Sequence, residues 1–252
     1  MNHQPPGSSS GTLLGGRVAY SQMLDGYRTG LEPILLAAAV PARDGDDVLE
    51  AGTGAGAGLL ALTARVPGVR GVGLEIDPEL ARLASANFAA NGHEGLQALA
   101  EDVTHWPSAS SFDHAFANPP WHAAAGTPSV NAQRRRAKVA SAGLLAIWAQ
   151  ALARSLRPRG TLSLILPASQ MGEAMHALRE ADCPQICLFP LWKCAGEPAR
   201  LVILQATRLG RGPCRMLPGM VLHAADGRLS EAAETILRGS GALALQPSGG
   251  RS

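Results

Sequence analysis

A glycine-rich turn separates a short apolar run from an apolar helix, and it restricts the possible folds of this chain more than any other segment. The turn, residues 50–56, has the sequence Glu-Ala-Gly-Thr-Gly-Ala-Gly and directly follows a predicted strand at 47–50. Glycines allow the backbone to turn sharply and to approach a ligand, and the N-terminus of the next helix favours electron-rich groups. The pattern predicts a ligand-binding strand-loop-helix unit. Close packing of the helix on the strand would also explain the glycines.

Short apolar runs alternate with amphipathic segments along most of the chain. Further strands are predicted at 69–74, 96–100, 112–117, 161–166, 186–189 and 201–206. Helices are predicted at 31–40, 78–91, 143–156, 169–181 and 230–237. For the second of these helices, Asp77 is the expected N-cap, Pro78 the first residue and Gly92 the residue just past its end. This alternation predicts an α/β fold with a doubly wound, mostly parallel, seven-stranded sheet flanked by helices.

The composition argues against several classes of protein. The 252 residues include 22 Lys and Arg against 20 Asp and Glu, a net charge of +2. This balance disfavours a histone-like binder but leaves room for a local basic patch that contacts phosphate. The four cysteines form no CxxC pair and the histidines lack metal-ligand spacing. We therefore predict reduced thiols and no metal site.

The two ends of the chain differ in composition from its centre. We predict a flexible leader at 1–25, one folded domain at 26–238 and a flexible tail at 239–252. The leader is rich in Pro, Gly and Ser and lacks the charged and apolar regions of a signal peptide. No apolar stretch is long enough for a membrane span, so we predict a cytoplasmic location by default.

Polar residues stand at the ends of four consecutive predicted strands: Glu50, Glu75, Asp102 and Asn118. The carboxyl ends of parallel strands meet at one edge of a sheet, where ligands bind. We expect Glu50 to face an ammonium group, Glu75 to accept hydrogen bonds from ribose hydroxyls, and Asp102 to accept one from an adenine amino group. The sequence therefore favours S-adenosyl-L-methionine as the ligand.

A nicotinamide cofactor is the competing interpretation of the same residues. Gly52, Gly54 and Ala57 satisfy the dinucleotide-binding spacing, and Glu75 lies at a suitable distance for a ribose hydroxyl. However, Glu50 stands before the glycines, where it would repel a pyrophosphate.

The fourth strand leads into Asn118-Pro119-Pro120-Trp121. Two prolines remove two backbone donors and fix two φ angles, which makes a stiff platform for the Asn118 carboxamide. The amide could hold a planar amino group while the Trp121 ring stacks on a base. A proline turn with a core-facing Trp is the structural alternative.

These features together resemble the class I S-adenosylmethionine-dependent methyltransferases, and the Asn-Pro-Pro-Trp motif resembles that of enzymes that methylate planar nitrogen atoms. Segments 26–32 and 218–237 are similar to the two ends of the bacterial tRNA1(Val) adenine N6-methyltransferases. Glu32, Pro33, Trp121 and His122 depart from that family's pattern. The resemblance implies a Rossmann-like fold and methylation of adenine N6 in tRNA.

Other functions stay open at this point. Guanine N2 in RNA and protein glutamine N5 are alternative acceptors within the class. A nicotinamide-dependent oxidoreductase and a non-catalytic cofactor-binding module are alternatives outside it.

The resemblance also implies roles for individual residues. The catalytic set contains Asn118, Pro119, Pro120 and Trp121. The cofactor set contains Tyr27, Arg28, Glu50, Gly52, Gly54, Gly56, Glu75, Asp102 and Asn118. The basic run that would contact RNA phosphates contains Arg134, Arg135, Arg136 and Lys138.

Overall fold

The computed structural model describes residues 7–24, 29–107, 111–120 and 132–245, with the backbone alone for 132–142. Its strands are β1 Ser8–Leu13, β2 Val18–Met23, β3 Asp47–Ala51, β4 Arg70–Glu75, β5 Leu96–Ala100, β6 Phe112–Ala117, β7 Leu156–Pro167, β8 Gln185–Trp192, β9 Leu201–Thr207, β10 Arg215–Met216 and β11 Met220–Val221. Its helices are α1 Glu32–Ala39, α2 Ala57–Arg65, α3 Pro78–Ala90, α4 Ala132–Ser155, α5 Met171–Glu180 and α6 Glu231–Leu237.

The central sheet confirms the predicted doubly wound, mostly parallel architecture. Its seven long strands lie in the order β8-β9-β7-β6-β3-β4-β5, and β9 is antiparallel to both of its neighbours. The two-residue strands β10 and β11 pair with β8 and bring the sheet to nine strands. These two strands are absent from the sequence prediction, because a two-residue strand carries no detectable alternation and exists only through its pairing.

Helices cover both faces of the sheet, so the described residues form two hydrophobic clusters. Helices α1, α2, α3 and α6 contribute to the first cluster, and α4 and α5 to the second. Neighbouring residues of one strand alternate between them: Val48 belongs to the first cluster and Leu49 to the second. Burial on both faces explains why the strands are continuous apolar runs.

Helix α3 has the predicted ends. The Asp77 side chain accepts a hydrogen bond from the Glu79 amide at 2.8 Å, and Pro78 occupies the first helical position. Gly92 follows the helix with a φ of +69°. The cap and the glycine satisfy backbone groups that a helix leaves unpaired at its two ends.

The two ends of the chain contain more structure than the sequence predicted. Instead of a flexible leader, residues 8–23 form an antiparallel β-hairpin in which Leu13 pairs with Val18. The hairpin hydrogen-bonds to the side chain of Asn87 on α3 and to that of Asn91, the C-cap residue of the same helix. In the predicted tail, the Leu243 amide donates to the Ala38 carbonyl at 2.7 Å and Leu245 is buried. Neither segment shows a clear strand or helix pattern, because its buried apolar residues are scattered among Gly, Ser and other small or polar residues. These buried residues are Leu14, Val18, Tyr20 and Leu245.

Across the described residues, none of the helices has both the length and the apolar character that crossing a bilayer requires.

Candidate functional site

A cavity of about 780 Å³ lies at the carboxyl ends of β3, β4 and β6. Its volume lies within the range of small-molecule sites, about 300–1,000 Å³. Most of the predicted site residues that the structure describes line it: Glu50, Gly52, Gly54, Glu75, Asp102, Asn118, Pro119 and Pro120. The edge of the sheet therefore brings together residues that are far apart in sequence.

The glycine-rich turn holds its shape through left-handed backbone conformations. The φ angles of Gly52, Gly54 and Gly56 are +68°, +55° and +88°, values that residues other than glycine rarely adopt. The amides of Gly52 and Thr53 donate to the Leu74 carbonyl at 2.8 and 3.0 Å, which ties the turn to β4. Gly56 is the N-cap of α2. A Cβ atom at Gly56 would lie 2.9 Å from Phe88 Cζ. Gly56, a predicted cofactor residue, therefore faces α3 behind the turn and does not line the cavity.

Glu50 is a buried acid at the start of this turn. Its side chain accepts hydrogen bonds from the Thr53 hydroxyl at 2.6 Å and from the Leu59 amide at 3.2 Å. Burial raises the pKa of Glu50 to about 8, although these two hydrogen bonds oppose the shift. Without a cation beside it, the carboxyl group is therefore mostly protonated at neutral pH, whereas a nearby cation would favour its ionised form.

Two glycines make room for Glu50 and for Thr53, which hydrogen-bonds to it, and both lie outside the predicted site residues. A Cβ atom at Gly58 would overlap the Glu50 carboxyl group and would lie 2.9 Å from Phe116. A Cβ atom at Gly73 would lie 2.8 Å from Thr53. The distances depend on how α2 and β4 pack, so no local sequence signal reveals them.

Glu75 and Asp102 also form hydrogen bonds within the protein. Glu75 accepts from the Gly54 amide at 2.9 Å and from the Asp77 amide at 3.1 Å, one on each oxygen. Each carboxylate oxygen keeps a further lone pair for a ligand. Asp102 accepts from the Thr104 amide at 2.8 Å, and this bond is the main cause of the lowered pKa of Asp102.

Asn118 and Pro119 follow β6 directly, beside the end of β3. Ala117 pairs with Ala51 in the parallel ladder, so the two strands end side by side. Asn118 is half-buried and Pro119 is buried. Within the described part of the chain, no residue hydrogen-bonds to the Asn118 carboxamide. Its donor and acceptor groups can therefore serve a ligand.

Several residues that line the cavity were missed by the sequence analysis. Leu144 and Trp148 lie one turn apart on α4, and a Cβ atom at Gly52 would be 3.1 Å from the Trp148 ring. From the hairpin side come Tyr20, Gln22, Met23 and Thr29. The spacing of Leu144 and Trp148 was visible as one helical face. The hairpin residues carried no such signal, because their segment was interpreted as a leader.

Some predicted site residues cannot be placed. Trp121, Tyr27 and Arg28 lie outside the described residues. Arg134, Arg135, Arg136 and Lys138 belong to the part of α4 for which the backbone alone is described. Their roles stay predictions. Where side chains are described, no group of three or more His, Cys, Asp or Glu residues could hold a metal ion.

The fold and the site together are those expected of a class I S-adenosylmethionine-dependent methyltransferase. The doubly wound sheet has a glycine-rich turn after its first long strand, acids at the next two strand ends and Asn-Pro-Pro at the fourth. A family model described as a methyltransferase domain matches residues 48–143. The protein is an S-adenosylmethionine-dependent enzyme that methylates nitrogen.

Curated relatives identify the family. The tRNA1(Val) (adenine(37)-N6)-methyltransferase of Aeromonas hydrophila is 31% identical over 209 residues, which cover 81% of this chain and 86% of the relative. That of Aeromonas salmonicida is 30% identical over the same shares of both chains. The chain belongs to the tRNA1(Val) (adenine(37)-N6)-methyltransferase family. These names do not favour the glutamine, guanine, nicotinamide or non-catalytic alternatives.

Solved structures share the fold. A predicted O-methyltransferase from Agrobacterium tumefaciens superposes with a TM-score of 0.71 at 20% identity, covering 84% of this chain and 97% of the other. A 16S rRNA N2 methyltransferase from T. thermophilus, solved with AdoMet and guanosine, has a TM-score of 0.54 at 22% identity and covers 80% of this chain and 50% of the other. At these identities the similarity concerns the fold alone.

Proposed function

We propose that this enzyme methylates N6 of an adenine in tRNA, and that the adenine is residue 37 of tRNA1(Val). The observation that carries the proposal is the order of polar groups along the sheet edge. The strands β5, β4, β3 and β6 are neighbours in that order, and they lead into Asp102, Glu75, Glu50 and Asn118. This order matches adenine, ribose, the amino-acid end of the cofactor, and then the acceptor base.

The residues of the cavity fit S-adenosylmethionine. Neighbouring strands lie about 4.8 Å apart, so three strand spacings give a site roughly 14 Å long, suited to an elongated ligand. Asp102 would accept from the adenine amino group and Glu75 from the ribose hydroxyls. Glu50 would lie near the ammonium group, where buried opposite charges attract strongly. When bound, this cofactor supplies an electrophilic methyl group.

On the acceptor side, the chain positions the nucleophile. The Asn118 carboxamide oxygen and the Pro119 carbonyl would accept hydrogen bonds from the exocyclic amino group of adenine. Both bonds would draw the nitrogen lone pair out of conjugation and aim it toward the cavity. Because the amino nitrogen can release its proton to water after attack, a strong general base is unnecessary. Catalysis then rests on orientation and electrostatic complementarity.

An unpaired loop base suits this site. The base must leave its stack to place a flat ring against Pro119 and Pro120, which costs least in a single-stranded loop. Trp121 is the proposed stacking partner. The basic run on α4 is the proposed contact for the flanking phosphates, and it would make binding salt-dependent.

Methyl transfer to tRNA tests the proposal. Labelled methyl should appear in tRNA1(Val) as N6-methyladenosine, and Asn118→Ala should reduce the rate by a factor of about 100 or more. Gln97→Ala, which removes an exposed carboxamide outside the cavity, is the matched control and should keep full activity. Undiminished N6-methyladenosine in Asn118→Ala would refute the catalytic role. Label in protein glutamine with none in RNA would refute the substrate.

A further inference from the structure

The residue behind the cavity that connects two of its walls is Asn87 on α3. We propose that Asn87 is a positioning residue that couples the N-terminal hairpin to the glycine-rich turn and thereby sets cofactor affinity. This inference rests on the proposed placement of the cofactor in the cavity. Nothing in the resemblance to methyltransferases assigned a role to Asn87 or to the hairpin.

The Asn87 carboxamide uses its polar groups on two separate elements. It accepts a hydrogen bond from the Ser21 amide at 2.9 Å and donates to the Ser21 carbonyl at 2.8 Å. Its second amino hydrogen goes to the Ala55 carbonyl, also at 2.8 Å. Asn87 is only 3% exposed and its bond to Ala55 is buried, so water cannot replace that partner.

These partners determine the orientation of the amide. Ala55 and Ser21 each offer a carbonyl, and both need a donor, whereas the Ser21 amide needs an acceptor. Only an uncharged carboxamide of this length can serve all three. An aspartate would place a carboxylate against two carbonyl oxygens. A leucine would leave one buried and two part-buried backbone groups without their Asn87 partner.

The two elements that Asn87 joins both face the cofactor site. Ser21 lies between Tyr20 and Gln22, which line the cavity from the hairpin. Ala55 lines the cavity from the glycine-rich turn. Asn87 does not line the cavity itself. It can therefore affect the cofactor only by holding these two walls at a set separation.

The next residue of α3 holds the same turn from a second direction. Phe88 is buried and packs where a Cβ atom of Gly56 would otherwise lie. Adjacent positions of one helix thus fix the turn by packing and by hydrogen bonding. Because α3 also hydrogen-bonds to the hairpin, it acts as the common support of both walls.

Asn91, the C-cap residue of α3 and four positions after Asn87, provides a natural control. It forms the same reciprocal pair with Ala19, accepting from the amide at 2.9 Å and donating to the carbonyl at 2.8 Å. Its other donor hydrogen goes to the Asn87 carbonyl at 2.7 Å and not to the turn. Asn91 therefore holds the hairpin without linking it to the glycines.

Calorimetry with S-adenosylhomocysteine separates the two roles. Asn87→Ala should raise the dissociation constant about tenfold, the scale expected for loss of the one buried hydrogen bond, that to the Ala55 carbonyl. Asn91→Ala should change it by less than about twofold, although it also weakens the hairpin. The KM for tRNA should be unchanged in both variants, because neither side chain faces the acceptor. Equal dissociation constants for the two variants would overturn the proposal.

A second variant covers the case in which Asn87→Ala does not fold. Asn87→Asp keeps the volume and the bond from the Ser21 amide but loses both donors. Hydrogen exchange on this variant should show that S-adenosylhomocysteine protects residues 54–56 without protecting 19–22, whereas the wild type protects both. Joint protection in Asn87→Asp would contradict the coupling. A wild type that fails to bind S-adenosylhomocysteine would contradict the proposed function as well, which distinguishes the two failures.

Discussion

Glu50 is a residue whose protonation depends on burial. Burial raises the pKa of Glu50 to about 8. Between the ordinary carboxyl pKa and pH 8, the folded chain therefore keeps a proton on Glu50 that the unfolded chain releases. The free energy of unfolding contributed by this group therefore falls as the pH rises through that window. A cofactor ammonium group beside Glu50 should reverse the preference and release the proton.

Proton release on cofactor binding is the first prediction. At pH 7, binding of S-adenosylhomocysteine should release a substantial fraction of one proton, and the affinity should rise with pH toward 8. Calorimetry in two buffers with different ionisation enthalpies measures this release. Glu50→Gln, which cannot titrate, should abolish it. If the wild type exchanges no protons at pH 7, the proposed contact between Glu50 and the ammonium group is wrong.

Gly58 gives a second prediction at the scale of single residues. Gly58→Ala should displace the Glu50 carboxyl group and lower the free energy of unfolding by about 1–3 kcal/mol, as overpacked cores do. Cofactor affinity should fall with it. Gly172→Ala is the control, because that helical glycine has nothing within 4 Å of its Cβ position. It should instead be stabilising by about 0.5–1 kcal/mol. Urea unfolding and calorimetry check both, and similar losses in the two variants would argue against the steric explanation.

At the scale of elements, attachment of the chain ends depends on a few side-chain hydrogen bonds. Ser230 caps α6 by accepting from the Ala233 amide at 3.1 Å, and its hydroxyl donates to the Val221 carbonyl at 2.7 Å. One hydroxyl therefore joins α6 to β11 at the outer edge of the sheet. Two such short elements have little other stabilisation of their own.

Removing this cap should affect stability and leave the cofactor site intact. Ser230→Ala should reduce the free energy of unfolding by about 1–2 kcal/mol, the usual range for a lost N-cap with a second bond. Thr235→Ala removes an exposed hydroxyl that donates to the Glu231 carbonyl in the same helix, and it should be nearly neutral. Thermal unfolding with and without S-adenosylhomocysteine provides the measurement. A change in cofactor affinity in Ser230→Ala would show that α6 communicates with the cavity.

At the scale of the whole molecule, the edge of the sheet opposite the cavity is held by charges. Asp47 on β3 pairs with Arg70 of β4 at 2.7 Å and with Arg157 of β7 at 3.1 Å. Arg157 also pairs with Asp113 of β6. The hydrogen bond from Arg70 is the main cause of the lowered pKa of Asp47. The network thus joins four strands at the end of the sheet that lies away from the site.

The network should make stability depend on pH and salt. A lowered carboxyl pKa stabilises the fold above the ordinary carboxyl pKa and loses this effect as the pH falls through the folded value. Arg157→Met should lower the free energy of unfolding only slightly at pH 7, since ion pairs of exposed side chains contribute little. The difference should shrink in acid and in high salt. Urea titrations at pH 7 and pH 3 measure it, and an equal loss at both would indicate packing and not charge.

Local sequence was sufficient to predict the central sheet and the row of polar residues at its ligand edge. Each long strand is an apolar run bounded by turn residues, and Asp77, Pro78 and Gly92 mark the ends of α3 by local rules. Glu50, Glu75, Asp102 and Asn118 come together because parallel strands that end in polar residues share one edge. None of these inferences required a contact between distant residues to be known.

Only the tertiary structure decided which residues surround and support this row of polar residues. The hairpin at 8–23 is held by pairing with itself, by burial of Leu14, Val18 and Tyr20, and by amide hydrogen bonds with Asn87 and Asn91, about 70 positions away in sequence. The pKa of Glu50 and the need for glycine at position 58 depend on how closely helices and strands pack, not on residues adjacent in the sequence. Sequence alone thus determined the sheet, its ligand edge and the chemistry expected there. Packing determined the walls of the cavity and the charge state of its buried acid, because burial and close approach are properties of the folded chain.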